Sequence, residues 1–130
     1  GIYRVSVRGG EPVKITDSGA NPQFGARNDR IFLSARDGEK RVLKSVNLSG
    51  QDERTHLSSE WAAEFSISPD ERWIAWTERF NAYVAPFVPT GRPITVGADA
   101  KALPQTRVTR DAGFLPQQVA HATASLAECW

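Results

Sequence analysis

Methionine is absent from the 130 residues, and cysteine occurs once, as Cys129. A chain without methionine does not begin at a native initiator. This one starts inside an apolar strand, at Ile2-Tyr3, with no signal peptide ahead of it, so it reads as a segment of a longer protein. A lone cysteine excludes an internal disulfide but leaves the compartment open, because periplasmic proteins also exist without disulfides. Histidine is scarce too, with only His56 and His121, far apart in the chain. A zinc or iron site needs at least three suitable ligands, so no metal-binding, cofactor-binding or catalytic residue is assigned. No apolar run reaches the roughly 18 residues of a membrane span. The net charge is +1, and arginines are scattered among acidic residues, which gives no general attraction to nucleic acid or anionic lipid.

What the chain does have is a period. Gly9, Gly50 and Gly91 are spaced 41 residues apart, and each follows a short apolar strand: Ile2-Tyr3-Arg4-Val5, Leu43-Lys44-Ser45-Val46 and Val84-Ala85-Pro86-Phe87. Phe24 and Phe65 each lie fifteen residues after the first two glycines. A period of about 40 to 45 residues filled with short strands is the signature of a β-propeller, in which one four-stranded blade is one repeat. The length allows about three repeats, whereas closed rings have about four to eight blades.

Alternation and turn residues place strands at 2–7, 13–16, 20–24, 30–34, 42–48 and 54–57, then at 63–67, 72–77, 82–88 and 93–96. The segment 93–96 is read as the fourth strand of the second full repeat, and 106–110 as the opening of a third. The fold class is therefore all-β, a partial propeller of about two full four-stranded blades plus a partial N-terminal blade. Blades occupy 1–113, and 114–130 form an irregular or short helical tail, since Val119, Ala122, Leu126 and Trp130 recur at near-helical spacing. The expected core is Phe24, Ile31, Leu33, Val46, Phe65, Ile74, Trp76 and Phe87. Trp73 and Trp76, three apart on one strand, must face opposite sides.

The run Phe65-Ser66-Ile67-Ser68-Pro69-Asp70-Glu71-Arg72-Trp73-Ile74-Ala75-Trp76 resembles the TolB-like, or PD40, propeller repeat, whose blade reads roughly F-S-P-D-G-x-x-I-A-F. Ile2-Tyr3, Gly9-Gly10 and Ile15-Thr16 match the later part of such a blade, and the resemblance covers about residues 1–97. The runs from Thr77 to Phe87 and from Val96 to Pro104 resemble, more narrowly, the propeller half of secreted amidohydrolases, which join such a propeller to a metal-dependent hydrolase barrel. The last seventeen residues depart from that pattern, as a truncated or frameshifted gene product would. The resemblance implies a periplasmic or secreted location and a scaffold that many functions share. The glycine usual after Pro-Asp is here Glu71. It either adopts a left-handed conformation, at roughly 1 kcal/mol, or belongs to a type I turn that needs no glycine.

The remaining candidates divide between structure and interaction. Ser68, Pro69 and Asp70 form a structural turn, with Pro69 pre-set for its second position. Gly9-Gly10 is a hairpin turn, since no helix start or lysine-serine pair follows it. Cys129 has no partnered histidine nearby, and no G-x-S-x-G elbow is present. Arg79, Asn81 and Tyr83 form the most polar and aromatic cluster and are the candidate interaction residues. The function that follows is non-catalytic: a propeller segment for protein interaction or substrate access within a larger hydrolase. Its alternatives are a gene product without evolved activity and an amidohydrolase-associated enzyme fragment. Partners are another protein or a second copy, held through open blade edges. The purified chain is expected to hydrolyse no peptide or amide, with or without divalent metal. Metal-dependent turnover that disappears on mutating His56 would contradict this.

Overall fold

A computed structural model describes residues 1–97 and 103–109, and among them every regular element is a strand. The strands are β1 (Ile2–Arg4), β2 (Val13–Thr16), β3 (Ala20–Phe24), β4 (Arg30–Asp37), β5 (Lys40–Asn47), β6 (Arg54–Ser59), β7 (Ala62–Ile67), β8 (Trp73–Glu78), β9 (Asn81–Pro86), β10 (Ile94–Thr95) and β11 (Thr106–Arg107). They form three sheets, ordered β1-β2, β10-β6-β5-β4-β3 and β11-β9-β8-β7. No helix among the described residues is long and apolar enough to cross a membrane. The tail expected at 114–130, with Cys129 and His121, lies outside the described residues.

The repeat is visible in the pairing. Leu43 faces Leu57, Lys44 faces Thr55 and Ser45 faces Arg54, with a register shift between Leu43 and Lys44. Forty-one residues earlier in the sequence, Ile2 faces Thr16, Tyr3 faces Lys14 and Arg4 faces Val13, with the same shift between Ile2 and Tyr3. The glycine turns match as well, Gly9 N–H donating to Ser6 and Gly50 N–H to Asn47, each at 3.0 Å.

The next pair of turns repeats with a different stride. Gly25 N–H donates to Arg30 O and Asn28 N–H to Gly25 O; Ser68 N–H donates to Trp73 O and Glu71 N–H to Ser68 O. These positions are 43 residues apart, so Phe24 corresponds to Ile67 and not to Phe65. Asn28 and Glu71 both have positive φ, 54° and 57°, which decides for the left-handed conformation at Glu71. The Glu71 side chain offsets that strain, since its Oε1 accepts the Ala26 N–H at 2.8 Å and ties the two turns together. Gly25 permits the approach, because a Cβ there would collide with the Glu71 carboxylate.

The five-stranded sheet is apolar on both faces because its strands alternate. Ile31, Leu33, Val42 and Val46 meet Ile2 and Ile15 of the two-stranded sheet. Phe32, Leu43 and Leu57 meet Phe65, Ile67, Ile74 and Trp76 of the four-stranded sheet. Side chains also bond the free edge of β7. Gln23 Oε1 accepts the Ile67 N–H at 2.8 Å, Asn21 Nδ2 donates to Phe65 O at 2.8 Å, and Ser34 Oγ accepts the Phe65 N–H at 3.0 Å. Leaving such a buried donor unmet costs about 1–3 kcal/mol.

Three expectations need correction. Residues 93–96 are not the fourth strand of the second repeat: β10 runs parallel to β6, with Ile94 beside Leu57 and Thr95 beside Ser58. The free edge of β6 offers hydrogen bonds there, and Val96 gains burial in the core between the two larger sheets. Residues 106–109, the described part of 106–110, open no third repeat. Within them β11 closes the four-stranded sheet, Thr106 facing Val84 and Arg107 facing Tyr83. Phe24 is not in the core. It is 54 % exposed because the sheet facing it has only two strands. The other seven expected core residues are buried, and Trp76 is covered completely while Trp73 stays exposed.

Gly9 and Gly50 occupy equivalent turns with φ of 92° and 80°, yet only Gly50 is packed, its missing Cβ facing the Ile15 carbonyl. Gly9→Ala is expected to lower stability by about 1 kcal/mol through backbone strain. Gly50→Ala adds overpacking of about 1–3 kcal/mol. Urea unfolding of the two variants checks the difference, and equal losses would show that the contact with Ile15 carries no weight.

Candidate interaction surface

The registers gather three chain reversals at one end of the larger sheets. Asp37 faces Lys40 at the end of β4 and β5, and Ser59 at the end of β6 faces Arg41. Ala62 at the start of β7 faces Glu78, which in turn faces Asn81 across the β8–β9 turn. Ser59 shapes the connection between β6 and β7, its Oγ accepting from Trp61 N–H at 3.3 Å and Ala62 N–H at 3.1 Å. It also donates to the buried Glu78 carboxylate at 3.4 Å.

Trp61 and Phe80 stand exposed here, by 59 % and 47 %, and the Arg79 guanidinium lies 4.7 Å from the Trp61 ring centroid. Arg79 and Phe80 are the two central residues of the β8–β9 turn, with φ of 46° and 66°. Positive φ at both positions is the type I′ geometry that Asn-Gly fills without strain. Each bulky residue in it costs roughly 1–2 kcal/mol. The exposed Phe80 ring recovers little of that by burial, so the fold gains almost nothing from holding an aromatic residue there.

Between the β4–β5 turn and the β6–β7 connection a cleft of about 80 Å³ is lined by Arg36, Lys40 and Arg41 together with Glu39, Glu60 and Ala62. Among the described residues none of the three cations has a carboxylate within 4 Å. The cleft therefore carries a surplus positive charge. Aromatic and arginine side chains dominate the energetics of protein interfaces.

The residues singled out in the sequence separate in space. Arg79 belongs to the exposed patch. Asn81 faces its own turn and the segment after β11, with Nδ2 donating to Arg79 O at 3.3 Å and Oδ1 accepting from Thr109 Oγ1 at 3.1 Å. Tyr83 is half-buried and stacked on Trp76, with centroids 5.7 Å apart. Trp61 and Phe80 went unnoticed in the sequence. Their signal is a two-residue hairpin turn without glycine or asparagine at its centre. In the other turn, Ser68 Oγ donates to Asp70 Oδ1 at 2.6 Å and accepts the Trp73 N–H, while Asp70 accepts the Arg72 N–H. The Ser68 hydroxyl, followed by the Arg72 amide, holds the Asp70 carboxyl below its usual range.

His56 lies on β6 against the rings of Phe32 and Phe87, at centroid distances of 5.3 and 5.5 Å. Its Nε2 is 2.7 Å from Ser45 Oγ, which also accepts from Arg30 Nε at 2.9 Å. Arg30 continues to Asp52, which Arg54 also binds. Burial first, then the charges of Arg30 and Arg54, pushes the His56 pKa down to about 4. A base that weak is neutral at pH 7 and poorly matched to general-base work there. Ser45 is fully buried and His56 partly so, and with Arg30 the pair joins β4, β5 and β6. Among the described residues no three His, Cys, Asp or Glu side chains are placed to hold a metal ion.

No protein family model matches the chain, and neither a curated protein nor a solved structure is similar to it.

Unfolding raises the His56 pKa back toward 6.5, so the unfolded chain binds a proton that the folded chain rejects. Stability is therefore expected to be level above about pH 6.5 and to fall as pH drops toward 4. Urea midpoints between pH 8 and 4 measure this, and His56→Gln should flatten the slope. In the turn, Phe80→Gly is expected to raise stability by about 1 kcal/mol through relief of strain, and thermal unfolding that shows a loss would contradict the strain argument.

Proposed function

We propose that this chain is a non-catalytic segment of a TolB-like β-propeller that binds another protein through the end bearing Trp61, Arg79 and Phe80. The observation that carries the binding role is the turn itself: an exposed arginine–phenylalanine pair in a backbone geometry that disfavours both, with Arg79 on an exposed tryptophan. A partner that presents an apolar knob flanked by carboxylates complements the rings and the Arg36, Lys40 and Arg41 cleft. The propeller reading is supported by the duplicated register of β1–β2 and β5–β6 and by successive sheets buried face against face. Substrate access in a secreted hydrolase is the version of this role that the sequence resemblance implies.

Two experiments test the reading. An experimental structure should relate successive sheets by rotation about a common axis, and a flat sandwich would refute the propeller. For the interface, a protein captured by the wild-type chain and then identified should bind at least ten-fold more weakly to Trp61→Ala and Phe80→Ala, with melting temperatures held. Undiminished affinity in both variants would remove this end of the molecule as the binding surface.

A further inference from the structure

The β4–β5 hairpin is longer than the repeat requires. Gly25 N–H bonds to Arg30 O as Ser68 N–H bonds to Trp73 O, so Arg30 in β4 matches Trp73 in β8. From there β8–β9 makes six pairs, ending with Glu78 opposite Asn81. The β4–β5 hairpin makes eight. Its sixth is Ala35 opposite Val42, and the two beyond it are Arg36 opposite Arg41 and Asp37 opposite Lys40. Two added pairs lengthen a hairpin by about 7 Å. The core has no use for them, since Arg36, Asp37 and Lys40 are exposed and Arg41 is half-buried. In repeat folds such insertions collect on one face, often the binding face.

The added residues are placed against their own charge. Asp37 and Lys40 close the two-residue turn of Gly38 and Glu39 as a hydrogen-bonded pair. Arg36 and Arg41 are therefore a non-hydrogen-bonded pair, the kind whose side chains stand closer. Like charges directly opposite one another destabilise a sheet. Alternation puts both arginines on the face that carries Phe32 and Leu43, toward the four-stranded sheet. There they line the 80 Å³ cleft with Lys40, Glu39, Glu60 and Ala62. Among the described residues no carboxylate lies within 4 Å of either arginine or of Lys40.

Size and charge define what the cleft takes. Sites for whole small molecules begin at roughly 300 Å³, so this one holds a single chemical group carried by something larger. Three cations against two carboxylates leave one positive charge in its lining. One carboxylate neutralises that charge, and a phosphate dianion overshoots it. Arginine also matches a carboxylate through two parallel N–H···O bonds. We propose that the Arg36–Arg41 pair seats the carboxylate of a glutamate or aspartate side chain on an acidic segment of the protein partner. The proposal rests on the reading of this end of the molecule as a protein interface, and it names the group that the added hairpin pairs recognise.

The probe is a fluorescently labelled glutamate decapeptide, titrated with the full chain at low salt, where exposed charges act most strongly, and read by anisotropy beside a glutamine decapeptide. Saturable binding of the glutamate peptide is expected. It should weaken at least ten-fold in Arg36→Gln with Arg41→Gln, and when residues 36–41 are replaced by Asn-Gly, which fills a two-residue hairpin without strain. Both variants should keep or raise the melting temperature, since they remove a like-charge pair. Arg27→Gln with Arg92→Gln removes two exposed arginines elsewhere and should leave the affinity unchanged. An equal loss in that control, binding of the glutamine peptide, or no binding at all overturns the proposal. So does a lower melting temperature in both hairpin variants, because the pair would then serve the fold, and so does displacement of the peptide by inorganic phosphate at lower concentration than by acetate. Failure of the interface reading is separate. If Trp61→Ala and Phe80→Ala leave a captured protein bound while the hairpin variants lose the peptide, the carboxylate site stands without the aromatic surface. Loss of the captured protein in the aromatic variants, beside full peptide affinity in the hairpin variants, overturns the carboxylate site alone.

Discussion

The five-stranded sheet carries apolar side chains on both faces, and the need to cover both places every other element. One face takes the β1–β2 hairpin and the other takes the four-stranded sheet. Fully burying one large aliphatic or aromatic side chain is worth roughly 1.5–3 kcal/mol. The Phe32, Leu43 and Leu57 face thus outweighs any single hydrogen bond in the fold. The same requirement draws β10 away from its own sheet, because Val96 becomes buried only by lying alongside β6.

Polar groups fix how the sheets meet. The edge of β7 would present unmet amides, but Gln23, Asn21 and Ser34 fill them from the neighbouring sheet. Apolar packing alone tolerates sliding; these bonds allow one alignment. Glu71 works the same way at the turns, and its left-handed backbone is stabilised by a contact that glycine could not make. Where the neighbour has only two strands, no side chain among the described residues plays Gln23's part, and Phe24 is left exposed.

Strain distinguishes the turns from one another. Asn28 is a residue type that accepts left-handed geometry, and Glu71 gains a hydrogen bond in return. Arg79 lies over the exposed Trp61 ring, and Phe80 is itself exposed. Bulky residues held in an unfavourable turn with little internal compensation are the observation on which the proposed interface rests.

By itself the sequence determined the local structure. Strand period, β-branched and aromatic content, and the turns around Gly50, Ser68-Pro69-Asp70 and Gly25 were legible because they depend on neighbours within a few residues. Seven of the eight expected core side chains followed from alternation alone, which tells one face of a strand from the other. Tertiary structure decided what alternation cannot express: which sheet a short strand joins, and whether a neighbour covers a given face. Residues 93–96 form a strand as their composition requires, but two edges competed for it, and burial of Val96 settled the choice. Phe24 has the chemistry of a core residue and lacks only the strand that would cover it. Trp61 and Phe80 became a surface only when three turns, separated by about twenty residues each, were brought to one end by the pairing of β5 with β6 and of β7 with β8.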